Sequence, residues 1–435
     1  MSDFETTLRA AIEASPVYDP HSHLRAERPQ ADHLADIVLY HHVWIELVSA
    51  GMPPDATSRA GLPHEVADPG MEPLERVRAA LPYLHHLRGT TCGNFLRVIL
   101  RDLYGLQEGR LAEDTLEQAA GAVAARATDP AWLDDVLQKR CGIRTVLTVE
   151  HSRAAPCAAC VGRGREGVPT NLISGKQTPA QTLASIEERL GCDLGTGGDL
   201  RSGMHRLGQE YSRSGLHFAG VWLLPQVSWR EPSEKAVTEV LARARRNAPL
   251  SPDDLSEFTC LGLDGFVAGL REGPLRTIQL ILGAEVLPPH RSITHWDASV
   301  PGMLARLAGA YPDFHFNCST ASEVHIQDLA IVAKHVPNVS VAGYWWHTIY
   351  PHTIRKSLAL RLDMVPANKI VAFFSDAYHA EWCYPKLRLV RRLLGDVLLE
   401  RVSDGTYTPE AALSLVPDLM HDNAARIYGL QPPVS

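Results

Sequence analysis

Along the chain, Phe4, Leu8 and Ile12 recur at helical spacing, and the pattern breaks at Ser15-Pro16. Val17-Tyr18-Asp19-Pro20 then reads as a short strand that runs directly into His21. Further apolar runs of strand length fall at 143–149, 218–224, 278–284, 314–318, 339–345 and 370–374, each closed by polar or turn residues. Continuous runs of this kind suit strands buried on both faces of a parallel sheet. Helical patterns lie between them, such as the stripe Ile326, Leu329, Ala330 and Ala333, with Thr320-Ala-Ser-Glu323 ahead of it in the form of a capping box.

The alternation predicts an α/β chain folded as a (β/α)₈ barrel over residues 1–435 as a single domain. Two stretches depart from it. From about 51 to 137 the pattern is helix-prone without a convincing strand, which predicts a helical insertion after the first strand, suited to a lid. From about 153 to 198 the chain is rich in Gly, Pro and small polar residues, which predicts an extended loop excursion.

Composition narrows the function classes. The 435 residues are 45% hydrophobic and 21% charged with a formal net charge of −8, an ordinary soluble globular make-up. A mild acidic balance without clustered Lys and Arg argues against nucleic acid and against an anionic membrane surface as partners. There is no apolar run of spanning length and no basic, apolar leader, so a cytoplasmic protein with a small-molecule partner is expected, with a homo-oligomer left open. Eight Cys in this length suit reduced thiols better than a disulfide framework. Cys157-Ala-Ala-Cys160, one C-x-x-C without a second pair, is a poor zinc signal, and His85-His86 reads as surface or lid.

The chemistry concentrates at strand ends. With 20 His in 435 positions, roughly one H-x-H arises by chance, so His21-Ser22-His23 gains its weight from context. Strand spacing puts both imidazoles on one face, at the barrel end where active sites sit. The run at 370–374 ends in Ser375-Asp376, and a carboxylate there completes a two-His, one-Asp set for one divalent metal, Zn or Mn foremost. The plainer alternative is that Asp376 caps the following helix. Glu150-His151 ends the second strand and suits a substrate-binding pair, and His347 follows Trp345-Trp346 at the same mouth, where the two Trp are packing or a substrate platform.

These residues also carry a resemblance. Tyr18-Asp-Pro-His-Ser-His-Leu24 resembles the opening motif of the uronate isomerases of the amidohydrolase superfamily. His41-His42-Val-Trp44, Cys92-Gly-Asn94, Pro225 to Arg230, Gly343-Tyr-Trp345-Trp346, Phe374-Ser-Asp376 and Asn423 to Gly429 resemble further segments of that family in matching order. The resemblance implies a distorted barrel with a helical insertion, one metal on His21, His23 and Asp376, and interconversion of sugar acids and keto acids by proton transfer. It also implies sugar contacts for His41 and an anion contact for Arg230. Three positions depart from the family's pattern: Tyr378 stands where an Arg is expected, His42 where a Tyr is, and Gln279 lies on a strand where a His is expected. Each touches substrate handling and leaves the inferred ligands intact. The expectation is therefore a metal-dependent isomerase acting on a sugar acid or related polyhydroxylated molecule, with Asp376, His41, His42, Arg230 and Tyr378 as its catalytic residues. A hydrolase or decarboxylase of the same superfamily is the alternative, and a non-catalytic binding barrel the third.

Overall fold

In the computed structural model, residues 2–24, 29–57, 71–149, 162–173, 177–287, 291–294 and 299–431 are described. Seven parallel strands form one sheet: β1 (Val17–Ser22), β2 (Ile143–Val149), β3 (Gly162–Arg165), β4 (Phe218–Leu223), β5 (Thr277–Leu282), β8 (His315–Thr320) and β9 (Val339–Val341). A two-stranded antiparallel hairpin, β6 (Ala284–Leu287) with β7 (Arg291–Thr294), stands outside it. Helices flank the strands, so β1 and β5 are buried along their whole length, including the polar Asp19, His21 and Gln279. The architecture is an α/β barrel.

Between β9 and β1 the segment 370–377 runs without a regular ladder. Val371 N–H donates to the Val341 carbonyl (2.9 Å) on one side, and on the other Asp376 N–H donates to the His21 carbonyl (3.0 Å) and His23 N–H to that of Ala377 (2.9 Å). Thus β1 and the segment carrying Asp376 are held side by side at one end of the sheet.

Several expectations shift. The stretch 153–198 is more ordered than a loop excursion: its described part contains β3 and the helix Pro179–Leu190, which Thr178 opens with a true capping box. The strand escaped notice because packing makes it glycine. A Cβ at Gly164 would overlap the Phe218 ring, and one at Gly162 would run into Leu147 and His217, so the usual apolar signal is absent. The capping box at 320–323 does not form. Thr320 Oγ1 accepts from Ser322 N–H (3.0 Å), and Glu323 is engaged by Thr353 (3.0 Å) and Lys356 (2.8 Å), while the helix begins at Ile326. The run 339–345 is a strand only to Val341, and beyond it Gly343 lies tight against Phe374, whose backbone nitrogen a Cβ there would meet at 2.8 Å.

Between β1 and β2 the described residues hold helices and no strand, among them His41–Ser49, Pro73–Leu84, Thr91–Asp102 and Leu116–Ala127. Glu381, fully buried, ties part of this stretch to the barrel. Its carboxylate accepts from Tyr104 Oη (2.9 Å), Trp132 Nε1 (2.9 Å) and Ala31 N–H (3.2 Å). Among the described residues no helix is long and apolar enough to cross a membrane.

Candidate metal centre

His21 and His23 leave the end of β1 two residues apart and their rings meet edge to face. His21 Nε2 stands 3.3 Å from His23 Nε2 and 3.4 Å from Asp376 Oδ1, and His23 Nε2 is 3.2 Å from the same oxygen. Donor atoms about 2.0–2.1 Å from a tetrahedral ion stand about 3.3–3.4 Å apart. The triangle therefore has the edge length of a metal site, and its two nitrogens and one carboxylate oxygen are the donor chemistry that borderline divalent ions take. The residues present fit the ion that the sequence implies.

Each donor is held in place by packing. The His21 ring stacks on Phe218 (6.1 Å between centroids, 29°), and Phe218 can lie there because Gly164 offers no Cβ. The His23 ring stacks flat on Tyr378 (4.6 Å, 8°). Asp376 adopts φ 49°, a left-handed conformation that Asp tolerates better than most residues. Its carbonyl accepts from Tyr40 Oη (3.1 Å) and from Lys386 Nζ (3.3 Å), whose ammonium also reaches the Ser375 carbonyl (2.6 Å).

Beneath the triad runs a chain of hydrogen bonds. Gln279 Nε2 donates to the Pro20 carbonyl (2.9 Å) and to Tyr428 Oη (2.7 Å), so its oxygen faces His21 Nδ1 at 2.8 Å. That oxygen can only accept, which places the imidazole proton on Nδ1 and the lone pair on Nε2, toward the cluster. Tyr428 Oη donates onward to Asn317 Oδ1 (2.7 Å), and Asn317 Nδ2 to Ser340 Oγ (2.7 Å). Gln279, Asn317 and Ser340 are register partners on β5, β8 and β9.

Electrostatics mark the same place. Burial disfavours the Asp376 carboxylate, yet the hydrogen bonds from His21 and His23 outweigh it and hold the group well below its ordinary range. Burial likewise works against His21, but Asp376, Glu166 and Gln279 overcome it and raise the imidazole to about 9. Asp19, buried just before the pair, is pushed up to about 6 by burial; its Oδ1 accepts from Ser375 N–H (2.8 Å) and its Oδ2 has no partner.

Other expected residues gather around this centre or stand aside. His41 and His42 open the helix His41–Ser49 with ring centroids 4.0 Å apart, and their donor atoms lie within 4.8 Å of one another and of Asp376. Tyr378 lies edge-on to His41 (5.3 Å). Trp345 is buried against Trp222 and Phe374, Trp346 faces His42 edge-on (6.5 Å), and His347 follows it with its imidazole lowered by burial. Arg230, on the connection after β4, is ion-paired with Asp253. His85 and His86 are exposed. Glu150, His151, Cys157 and Cys160 lie outside the described residues.

The sequence did not reveal Glu166. It follows β3, its Oε1 stands 3.6 Å from His21 Nε2, and it groups with His21 and His23 as a metal-ligand set. Gly220 on β4 gives it room, since a Cβ there would meet Glu166 Cγ at 2.6 Å. The available signal was a carboxylate directly after a strand, hidden because the strand itself was hidden.

No family model matches the chain. Among solved structures, the uronate isomerase of Thermotoga maritima is 15% identical and superposes with a TM-score of 0.79 over 98% of this chain and 97% of that one. The glucuronate isomerase from Caulobacter crescentus is 19% identical, with a TM-score of 0.80 over 99% and 95%. The fold is therefore the one these isomerases share. Among curated proteins, a 171-residue stretch is 25% identical to Protein fluG of Emericella nidulans, covering 36% of this chain and 20% of that protein.

Proposed function

We propose that the chain is a metal-dependent enzyme that isomerises a sugar acid or a related polyhydroxylated small molecule, with one divalent ion, Zn or Mn, on His21, His23 and Asp376. The observation that carries this is the triangle of donor atoms at 3.2–3.4 Å, in a fold shared with uronate isomerases. The helices between β1 and β2 are read as an insertion beside the barrel mouth.

A divalent ion held by His21, His23 and Asp376 would supply Lewis-acid polarisation of a substrate carbonyl and the neighbouring hydroxyl. The remaining work falls to the protein. Asp376 is committed to two imidazoles, whereas Glu166 Oε1 makes no hydrogen bond and faces the same space. Glu166 takes the proton from the carbon bearing the hydroxyl and returns it to the adjacent carbonyl carbon, through an enediol, while the hydroxyl's own proton passes to the former carbonyl oxygen. His41 and His42 meet the sugar oxygens, with Trp345, Trp346 and His347 on the same side. Arg230 would serve the acid's carboxylate after leaving Asp253.

The test is proton NMR in deuterium oxide with glucuronate and galacturonate and metal-loaded protein. Exchange of the C2 proton, with new keto-acid signals, is expected in the wild type and lost in Asp376→Asn. Metal-loaded protein that shows neither sinks the isomerase reading. Tyr378 favours a second reading: a neutral phenol lies flat on His23 where a carboxylate-binding cation was expected. The same scaffold would then hydrolyse an amide, lactone or ester or decarboxylate an acid, and solvent oxygen-18 in the product would identify hydrolysis.

A further inference from the structure

We propose that His41, His42 and Asp376 hold a second divalent cation, so that the Asp376 carboxylate bridges two ions. The inference rests on His21, His23 and Asp376 being the first metal site. Two three-residue groups with metal-ligand donors occur among the described residues, His21–His23–Glu166 and His41–His42–Asp376, each with its donor atoms within 4.8 Å of one another. Asp376 belongs to both by distance, because its Oδ1 also stands 3.2–3.4 Å from the two imidazoles of β1. A single carboxylate can serve two ions about 3.5–4 Å apart, as in paired-metal sites.

The backbone that carries the second group is tied to the first. Tyr40, the residue before His41, stacks on Trp382 (4.1 Å, 15°) and donates its hydroxyl to the Asp376 carbonyl. The start of the helix bearing both imidazoles is thereby fixed to the backbone of the carboxylate that they share. Charge permits a second cation. Asp376 brings a negative charge to the space, and between His23 and His41 stands the uncharged Tyr378 ring. Lys386, the nearby cation, spends its ammonium on the Ser375 and Asp376 carbonyls. Two imidazoles and a carboxylate oxygen suit Zn, Mn or Co, and the sugar oxygens assigned to His41 and His42 would then meet them through this ion's remaining positions. The wider spacing of this group requires the imidazoles to turn inward, so the second ion binds more weakly than the first.

Chelator-stripped full-length chain, with the exposed His85 and His86 changed to Gln to remove an adventitious pair, is titrated with Mn(II) by equilibrium dialysis and electron paramagnetic resonance. Two ions per chain are expected, with a spin-coupled signal appearing as the second is filled. His41→Gln and His42→Gln, checked for native circular dichroism, should each reduce two ions to one and abolish the coupling while the tighter ion remains. Saturation at one ion overturns the second site and leaves the first standing, and so does a stoichiometry of two that both variants retain. No tight ion at all overturns both. If neither variant folds, the wild-type stoichiometry and coupling decide alone.

Discussion

The Gln279 amide spends both its donors on Pro20 and Tyr428, and its oxygen therefore fixes which nitrogen of His21 carries the proton. Replacing it by Leu keeps a side chain of similar size and removes the acceptor, so the ligand nitrogen is no longer held in its basic form. Metal affinity is expected to fall roughly 10–100-fold in Gln279→Leu, and far less in Gln279→Glu, read by competition with a chelating dye. Unchanged affinity in the Leu variant would show that packing against Phe218 alone orients the ring. At this scale His21 and His23 were legible as an H-x-H pair closing a short strand, and Asp376 because it follows an apolar run. Gln279 was noticed only as a missing His, since its role depends on Tyr428 and Asn317, which become its neighbours only when β5 and β8 pair in register.

Elements were legible where burial wrote them in apolar residues, and illegible where close approach demanded glycine. β2 and β5 show the first case, β3 the second. The helices after β1 were legible as helices, but nothing in their pattern disclosed how they are fastened. Glu381 does this, gathering Tyr104, Trp132 and the Ala31 amide onto one buried carboxylate. Glu381→Leu strands a phenol and an indole N–H without acceptors and should lower stability by about 3–5 kcal/mol. Urea unfolding followed by tryptophan fluorescence measures it. Glu381→Gln retains an acceptor oxygen and should lose less, and equal losses would mean that shape, rather than hydrogen bonding, fastens the stretch.

For the whole molecule the barrel interior sets a pH limit. His315 lies at the start of β8 with Nε2 2.8 Å from Ser340 Oγ. Burial first, then the charges of Arg426 and Lys369, lower its imidazole to about 4. Because the folded value lies below the unfolded one of 6.5, the native state is favoured fully above that pH. Stability is lost as pH falls from 6.5 to about 4, where the folded protein also takes up the proton, by up to about 3 kcal/mol in all. His315→Gln should flatten this part of a denaturation-midpoint profile, and a profile as steep as the wild type would place the acid sensitivity elsewhere. The hydrogen-bonded chain beneath the metal triad has a different consequence, in the order of synthesis. His21 and His23 leave the ribosome ahead of Asp376 and of the Tyr428 that steadies Gln279, which follow some 350 and 400 residues later. On the proposed metal reading, a growing chain carries the two imidazoles without their carboxylate partner, and the complete ligand set exists only once the barrel has closed.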